Sequence, residues 1–187
     1  MQGFARAIGP VLAPMLAPML TSVLAIAPGI TWAAEPVCLT RTEATSLIAY
    51  ALPQAISGTA KRCSAALPAD AFLRRHGGEL AARYAGQKDK YWPQAKPAFM
   101  KTLGANGGDA SGLSRNLPDD SMRQLADVFV EGFVSQRIAL KSCDKLDLAI
   151  DLLSPLPPEN TAGLIALTME VASNAEPKVG HITLCKG

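Results

Sequence analysis

Histidine is almost missing from this chain: there are two, His76 and His181, and neither stands one helical turn from another ligand type. That excludes the paired-histidine helix of metalloproteases. The absence of any C-x-x-C likewise removes the local signature of zinc, thioredoxin-type redox and covalent haem sites. No G-x-S-x-G exposes a serine nucleophile. The glycine-rich run 104–112 lacks a following G-K-[ST], so it is no phosphate loop. No catalytic, metal or cofactor-binding residue is therefore assigned. Charge is also scarce in net terms, at +2, too near neutrality for electrostatic capture of nucleic acid. Internal repeats and strand-type alternation are lacking, and beyond residue 34 no apolar run approaches the length of a membrane span.

The first residues do carry a pattern. Arg6 precedes an uncharged, mostly apolar run from Val11 to Ile26, which Pro28 and Gly29 end before Thr31-Trp32-Ala33-Ala34. This is the layout of a secretory signal peptide, predicted over 1–33 with cleavage near Ala33/Ala34, leaving 34–187 as a single domain. An uncleaved anchor is the alternative, and Pro10, Pro14, Pro18 and Pro28 weigh against it. All four cysteines, Cys38, Cys63, Cys143 and Cys185, follow the cut. In an exported chain they imply two disulfides and a periplasmic or secreted location. Of the three pairings, Cys38–Cys63 with Cys143–Cys185 is preferred, because each closes a helix and its return segment, contributing about 3–4 kcal/mol on a chain-entropy estimate.

Capped segments, proline starts and few β-branched clusters define an all-α fold, a small disulfide-stapled bundle. Thr40 and Glu43 form a capping box opening a helix with Ala44, Leu47, Ile48, Ala51 and Leu52 on one face, expected to stop before Pro53. Pro68–Asp70 opens a second helix, with Gly77 or Gly78 as a left-handed stop, and Glu79 to Tyr84 continues towards Gly86. Trp92, Ala95, Phe99 and Leu103 share a face, yet a proline inside a helix costs about 3 kcal/mol, so the regular part is expected to begin near Pro97. Residues 104–114 read as a flexible loop. Leu117–Ser121 starts the longest predicted helix, running to Lys141–Ser142. Its inner face is read as Met122, Leu125, Ala126, Phe129, Phe133 and Val134, with Gly132 admitting a close crossing. A C-terminal helical hairpin follows: Cys143–Leu153, a proline elbow at Pro155, Pro157 and Pro158, and a second arm to Ala172. That arm has two apolar stripes (Leu164, Leu167, Thr168, Val171; and Ile165, Met169, Ala172), which predict burial on more than one side.

Basic residues dominate from 71 to 118 and acidic ones from 119 to 171, so the two segments either face one another or solvate separate surfaces. Within the basic half, Arg74, Arg75, Lys88, Lys90, Tyr91 and Trp92 make a candidate surface for an anionic partner. The competing expectation is that Tyr91 and Trp92 pack into the core while the charges stay wet. Together these features predict an exported binding or protein-interaction module without a recognisable catalytic centre. Its partner is expected to be another envelope protein or an anionic surface. A carrier enclosing a small apolar ligand is the alternative, motivated by the stripes of the last helix. A hydrolase using carboxylates such as Asp119, Asp147, Asp151 and Glu159 is less favoured.

Overall fold

The computed structural model describes residues 38–105, 116–175 and 183–185; the expected leader and most of the expected 104–114 loop lie outside them. The described chain is all-α. Thr40 caps the first helix, α1 (Arg41–Cys63): its hydroxyl accepts from the Glu43 N–H at 3.2 Å while the Glu43 carboxylate accepts from the Thr40 N–H at 2.9 Å. The capping box stands as read, but the expected stop does not. Helix α1 continues through Pro53 to Cys63, although Pro53 forfeits one backbone bond at a cost of about 3 kcal/mol. What offsets this is burial around the helix: the later helices Gly77–Ala85, Trp92–Ala105, Asp119–Arg137 and Pro158–Ala175 all pack on it, covering Ala44, Ala49, Tyr50, Leu52, Ile56, Thr59 and Cys63.

Two further helices, α2 (Phe72–Arg75) and α3 (Gly77–Ala85), meet at His76. Gly77 is not the predicted left-handed stop. It opens α3, and a Cβ there would lie 3.4 Å from Leu73 Cδ2 and 3.6 Å from Ala60 Cβ, so its small size sets how closely α3 seats on α1. After a 3-10 turn at Lys88–Lys90, α4 spans Trp92–Ala105. Its stripe is as read, with Trp92, Ala95, Phe99 and Leu103 all buried. It begins five residues before Pro97, because Pro97 itself is exposed and the buried Trp92 and Ala95 hold the first turn. Helix α5 (Asp119–Arg137) ends earlier than expected and is shorter than α1, and a second 3-10 turn at Leu140–Ser142 leads into α6 (Cys143–Leu153). The elbow follows, then α7 (Pro158–Ala175). Its arms find their main partners elsewhere, α6 on α2 and α7 on α1. Two-residue strands β1 (Cys38–Leu39) and β2 (Thr183–Leu184) pair in parallel, Cys38 with Thr183 and Leu39 with Leu184.

All four cysteines are oxidised, but the preferred pairing is wrong: the bonds are Cys38–Cys185 and Cys63–Cys143, with Cα atoms 4.9 and 5.5 Å apart. The reason is Pro53. A helix unbroken from residue 41 to 63 is about 34 Å long, which puts Cys38 and Cys63 at opposite ends of α1. Cys63 then meets Cys143 in the core, both essentially inaccessible to solvent. Cys38 is tied instead to Cys185 beside the β1–β2 ladder. The nested bridges close longer loops than expected, worth about 4–5 kcal/mol each on the same entropy estimate. Two disulfides fit an oxidising, extracytoplasmic compartment, and among the described residues no helix is long and apolar enough to cross a membrane.

Candidate interaction surfaces

The basic–aromatic cluster is not assembled as one open patch. Trp92 is buried, its ring 4.9 Å from that of Tyr50, and its indole N–H donates to Asp119 at 3.2 Å. Lys88 is drawn inward to 12% side-chain exposure. Its Nζ lies 2.5 Å from Asp127, 3.1 Å from Gln54 Oε1 and 4.2 Å above the Tyr50 ring. Burial, and secondarily the Asp127 carboxylate, pushes the Tyr50 hydroxyl well above its ordinary pKa. Lys90 and Tyr91 both turn to Glu159 at the start of α7, at 3.4 and 2.7 Å. The Tyr91 hydroxyl, with the Glu159 backbone N–H and Lys90, holds that carboxyl below its usual range. Arg74 donates to the Leu67 carbonyl at 3.0 Å, while Arg75 is exposed. The basic and acidic halves of the sequence thus face one another, through Lys88–Asp127, Lys90–Glu159, Lys96–Asp119 and Asp89–Arg123.

The carboxylates considered for hydrolysis separate in space. Asp147 turns inward and accepts from the backbone N–H groups of Phe72 at 3.2 Å and Leu73 at 2.7 Å, starting α2. Asp151 shares with it an open cleft of about 510 Å³ that Asp70, Asp144 and His76 also line. Asp119 and Glu159 are engaged elsewhere, as above. Among the described residues, no group of three or more His, Cys, Asp or Glu is arranged to hold a metal ion.

The unexpected feature is the outer side of α5. Residues four apart form rows along a helix, and α5 has four distinct ones. Met122, Ala126, Val130 and Val134 face the bundle. Arg123, Asp127 and Glu131 form the second row, each ion-paired to a neighbouring segment through Asp89, Lys88 and Lys61. The third row, Gln124, Val128, Gly132 and Gln136, and the fourth, Ser121, Leu125, Phe129 and Phe133, carry no charge and reach solvent, with Val128 at 72% exposure and Phe133 at 48%. Leu125, Phe129 and Phe133 were expected inside. They reach solvent instead, Phe129 while still meeting Phe99 of α4, because α5 closes on α1 through Met122, Ala126 and ion-paired side chains. A Cβ on Gly58 of α1 would lie 3.1 Å from the Glu131 carbonyl oxygen, so Gly58 marks the close crossing. Gly132, predicted to be that point, faces open space.

Beside this face lies an open groove of about 830 Å³ lined by Lys61, Arg62, Val128, Glu131, Gly132 and Ser135, among others. Helix α7 has a related arrangement: Thr161, Ala162 and Ala166 are buried, whereas Leu164, Leu167 and Val171 are exposed. Its stripes are therefore not buried on more than one side. Small residues let α7 lie close on α1 and leave the larger ones out. On α6, Leu148 and Leu152 are exposed in the same way. A signal for the α5 face was present in the sequence: between 121 and 136 every charge falls on the single row 123, 127, 131. No family model, no curated protein and no solved structure matches the chain.

Proposed function

We propose that this chain is an exported binding module that works by docking a macromolecular surface onto the outer face of α5. The observation carrying this is a charge-free helix side, Ser121 to Gln136, with Val128 at 72% exposure. Surface helices of globular proteins normally turn their polar side to water, and contiguous exposed apolar patches rimmed by polar groups mark interaction sites. The carrier reading has the open groove beside α5 in its favour, but the apolar stripes of α7 that motivated it face outward. The layout of residues 1–33 supports export through a cleaved leader to the periplasm or exterior, where the disulfides form. Amino-terminal sequencing of the native protein is expected to start at Ala34.

The docking reading is tested by placing a photo-crosslinking residue at Val128 and, as a control, at Ala82 on the exposed side of α3, in the expressing host. Discrete adducts from position 128 alone support it. Identical adduct patterns from both positions sink it.

A further inference from the structure

We infer that the surface seated on α5 is a second copy of this chain, giving a two-fold dimer in which α5 packs on its own mate. The inference rests on the docking reading above and adds the identity of the partner. Its basis is the relief of the two exposed rows. Leu125, Phe129 and Phe133, at 38%, 38% and 48% exposure, form a half-exposed aromatic ridge, stiffened because Phe129 stacks on Phe133 with ring centroids 6.0 Å apart and meets Phe99 of α4 edge-on at 5.9 Å. The adjoining row, Gln124, Val128, Gly132 and Gln136, is interrupted at Gly132, where an added Cβ would touch nothing within 4 Å. Ridge and notch lie side by side on one helix. Rows of four-residue spacing interlock when two helices cross at about −50°, so the aromatic ridge of each copy can enter the Val128–Gly132 notch of the other.

Charge points to the same partner. A two-fold axis sets residues opposite their own copies, so any charge near it would face its like. From Ser121 to Gln136 the exposed rows hold none; the nearest charge on the aromatic row, Arg137, lies 4.8 Å over the Phe133 ring at its far end, away from the centre of the face. The rim beside Val128 carries both signs, Lys61 and Arg62 with Glu131, so the edges of two copies can approach without net repulsion. A face about 24 Å long offers less than the roughly 800 Å² per partner of a standard interface, which predicts a weak, reversible dimer.

Sedimentation velocity of the natively produced, oxidised protein between about 2 and about 200 µM tests this. The sedimentation coefficient is expected to rise from monomer to dimer across that range. Val128→Asp and, separately, Gly132→Leu are expected to weaken association at least tenfold, and Ala82→Asp to leave it unchanged, with circular dichroism reporting an intact fold in each. A wild-type protein that stays monomeric, or a dimer indifferent to Val128→Asp, overturns the proposal. A monomer that still forms Val128-specific adducts, or binds neutral phospholipid vesicles through Val128, also overturns the dimer while leaving the docking reading intact. A monomer without such adducts removes both.

Discussion

Helices α3 and α5 both lie at the edge of the bundle against α1, and they are dressed in opposite ways. In α3, Leu80, Ala81 and Tyr84 are buried while Gly78, Glu79, Ala82 and Arg83 meet water. Its anchors reach the elbow: the Tyr84 hydroxyl donates to the Leu156 carbonyl at 2.8 Å and lies 3.3 Å from Thr161 Oγ1, and Arg83 donates to the Ser154 carbonyl. In α5 the charges point at neighbouring segments and the phenylalanines reach solvent. Helix α3 is thus held by apolar burial and finished for water. Helix α5 is held by the buried Met122 and Ala126, with a glycine-thin crossing and a flanking row of ion pairs, and its outer surface is left uncharged.

The sharpest way to break that contrast is to truncate one aliphatic residue on each helix. Leu80→Ala, at a site 3% exposed, is expected to cost about 2–5 kcal/mol in urea unfolding. Val128→Ala is expected to stay within about 0.5 kcal/mol of wild type when measured below the concentration of self-association. If the two cost the same, the outer face of α5 is covered by its own chain in solution and the contrast fails.

Next in size is the paired row of α5, where the two ends differ in burial. Lys88→Met removes a cation held by Asp127, Gln54 and the Tyr50 ring. Breaking a buried pair costs about 3–5 kcal/mol, and because Asp127 is one-third exposed the expected loss is nearer 2–3 kcal/mol. Lys61→Met, at a pair whose lysine is 77% exposed, is expected to cost about 0–1 kcal/mol. Chemical denaturation of both variants ranks them, and an equal loss would show that the row acts through charge alone, independent of burial.

Smaller still, and of opposite sign, are two glycine substitutions. Gly58→Ala gains up to about 1 kcal/mol of helix propensity but presses a methyl group against the backbone oxygen of Glu131, which cannot swing away as a side chain can. Overpacking of this kind costs about 1–3 kcal/mol, so a net loss near 1 kcal/mol is expected. Gly132→Ala meets nothing and is expected to stabilise by about 0.5–1 kcal/mol. Thermal unfolding of the pair should move the midpoint in opposite directions.

The outcome of these comparisons depends on features that were unequally legible in the chain. The Thr40–Glu43 box, the elbow at Pro155–Pro158 and the stripe Trp92, Ala95, Phe99 and Leu103 are local, and local chemistry sufficed. Disulfide pairing was not local: it turned on whether α1 passes through Pro53, which the burial of that helix by four others decides. On α5 the expected inner face holds for Met122, Ala126 and Val134 but not for Leu125, Phe129 and Phe133, and on α7 the stripes miss the buried side, for one reason. Periodicity locates an apolar side but not which of two sides a neighbour covers, and here Ala126, Ala162 and Ala166 win the buried positions by permitting close approach. The same closeness leaves Phe133, Leu167 and Val171 outside. The cluster from Arg74 to Trp92 looked like a surface because its partners, Asp119, Asp127 and Glu159, lie 27 to 69 residues further on.

The smallest expected effect concerns the first turn of α5. Asp119 accepts from Lys96, which stands first in lowering its carboxyl pKa, and from the Trp92 indole N–H, which stands second. A carboxyl whose pKa is lower in the folded chain than in the unfolded one binds its proton more readily when unfolded, so stability falls as pH drops through the acid range. The contribution is therefore complete above the ordinary aspartate pKa and is lost below it, as the folded-state carboxyl takes up its proton. Because Asp119 is largely solvated, screening keeps the effect slight. Asp119→Asn is expected to flatten the acid limb of the unfolding midpoint by a small, measurable amount. Trp92, the one tryptophan after residue 33, offers a direct reading: its emission should titrate below the usual aspartate range, and the step should vanish in Asp119→Asn. A step that persists without Asp119 would assign it to another carboxyl near the indole and would loosen the tie between α4 and the ion-paired side of α5.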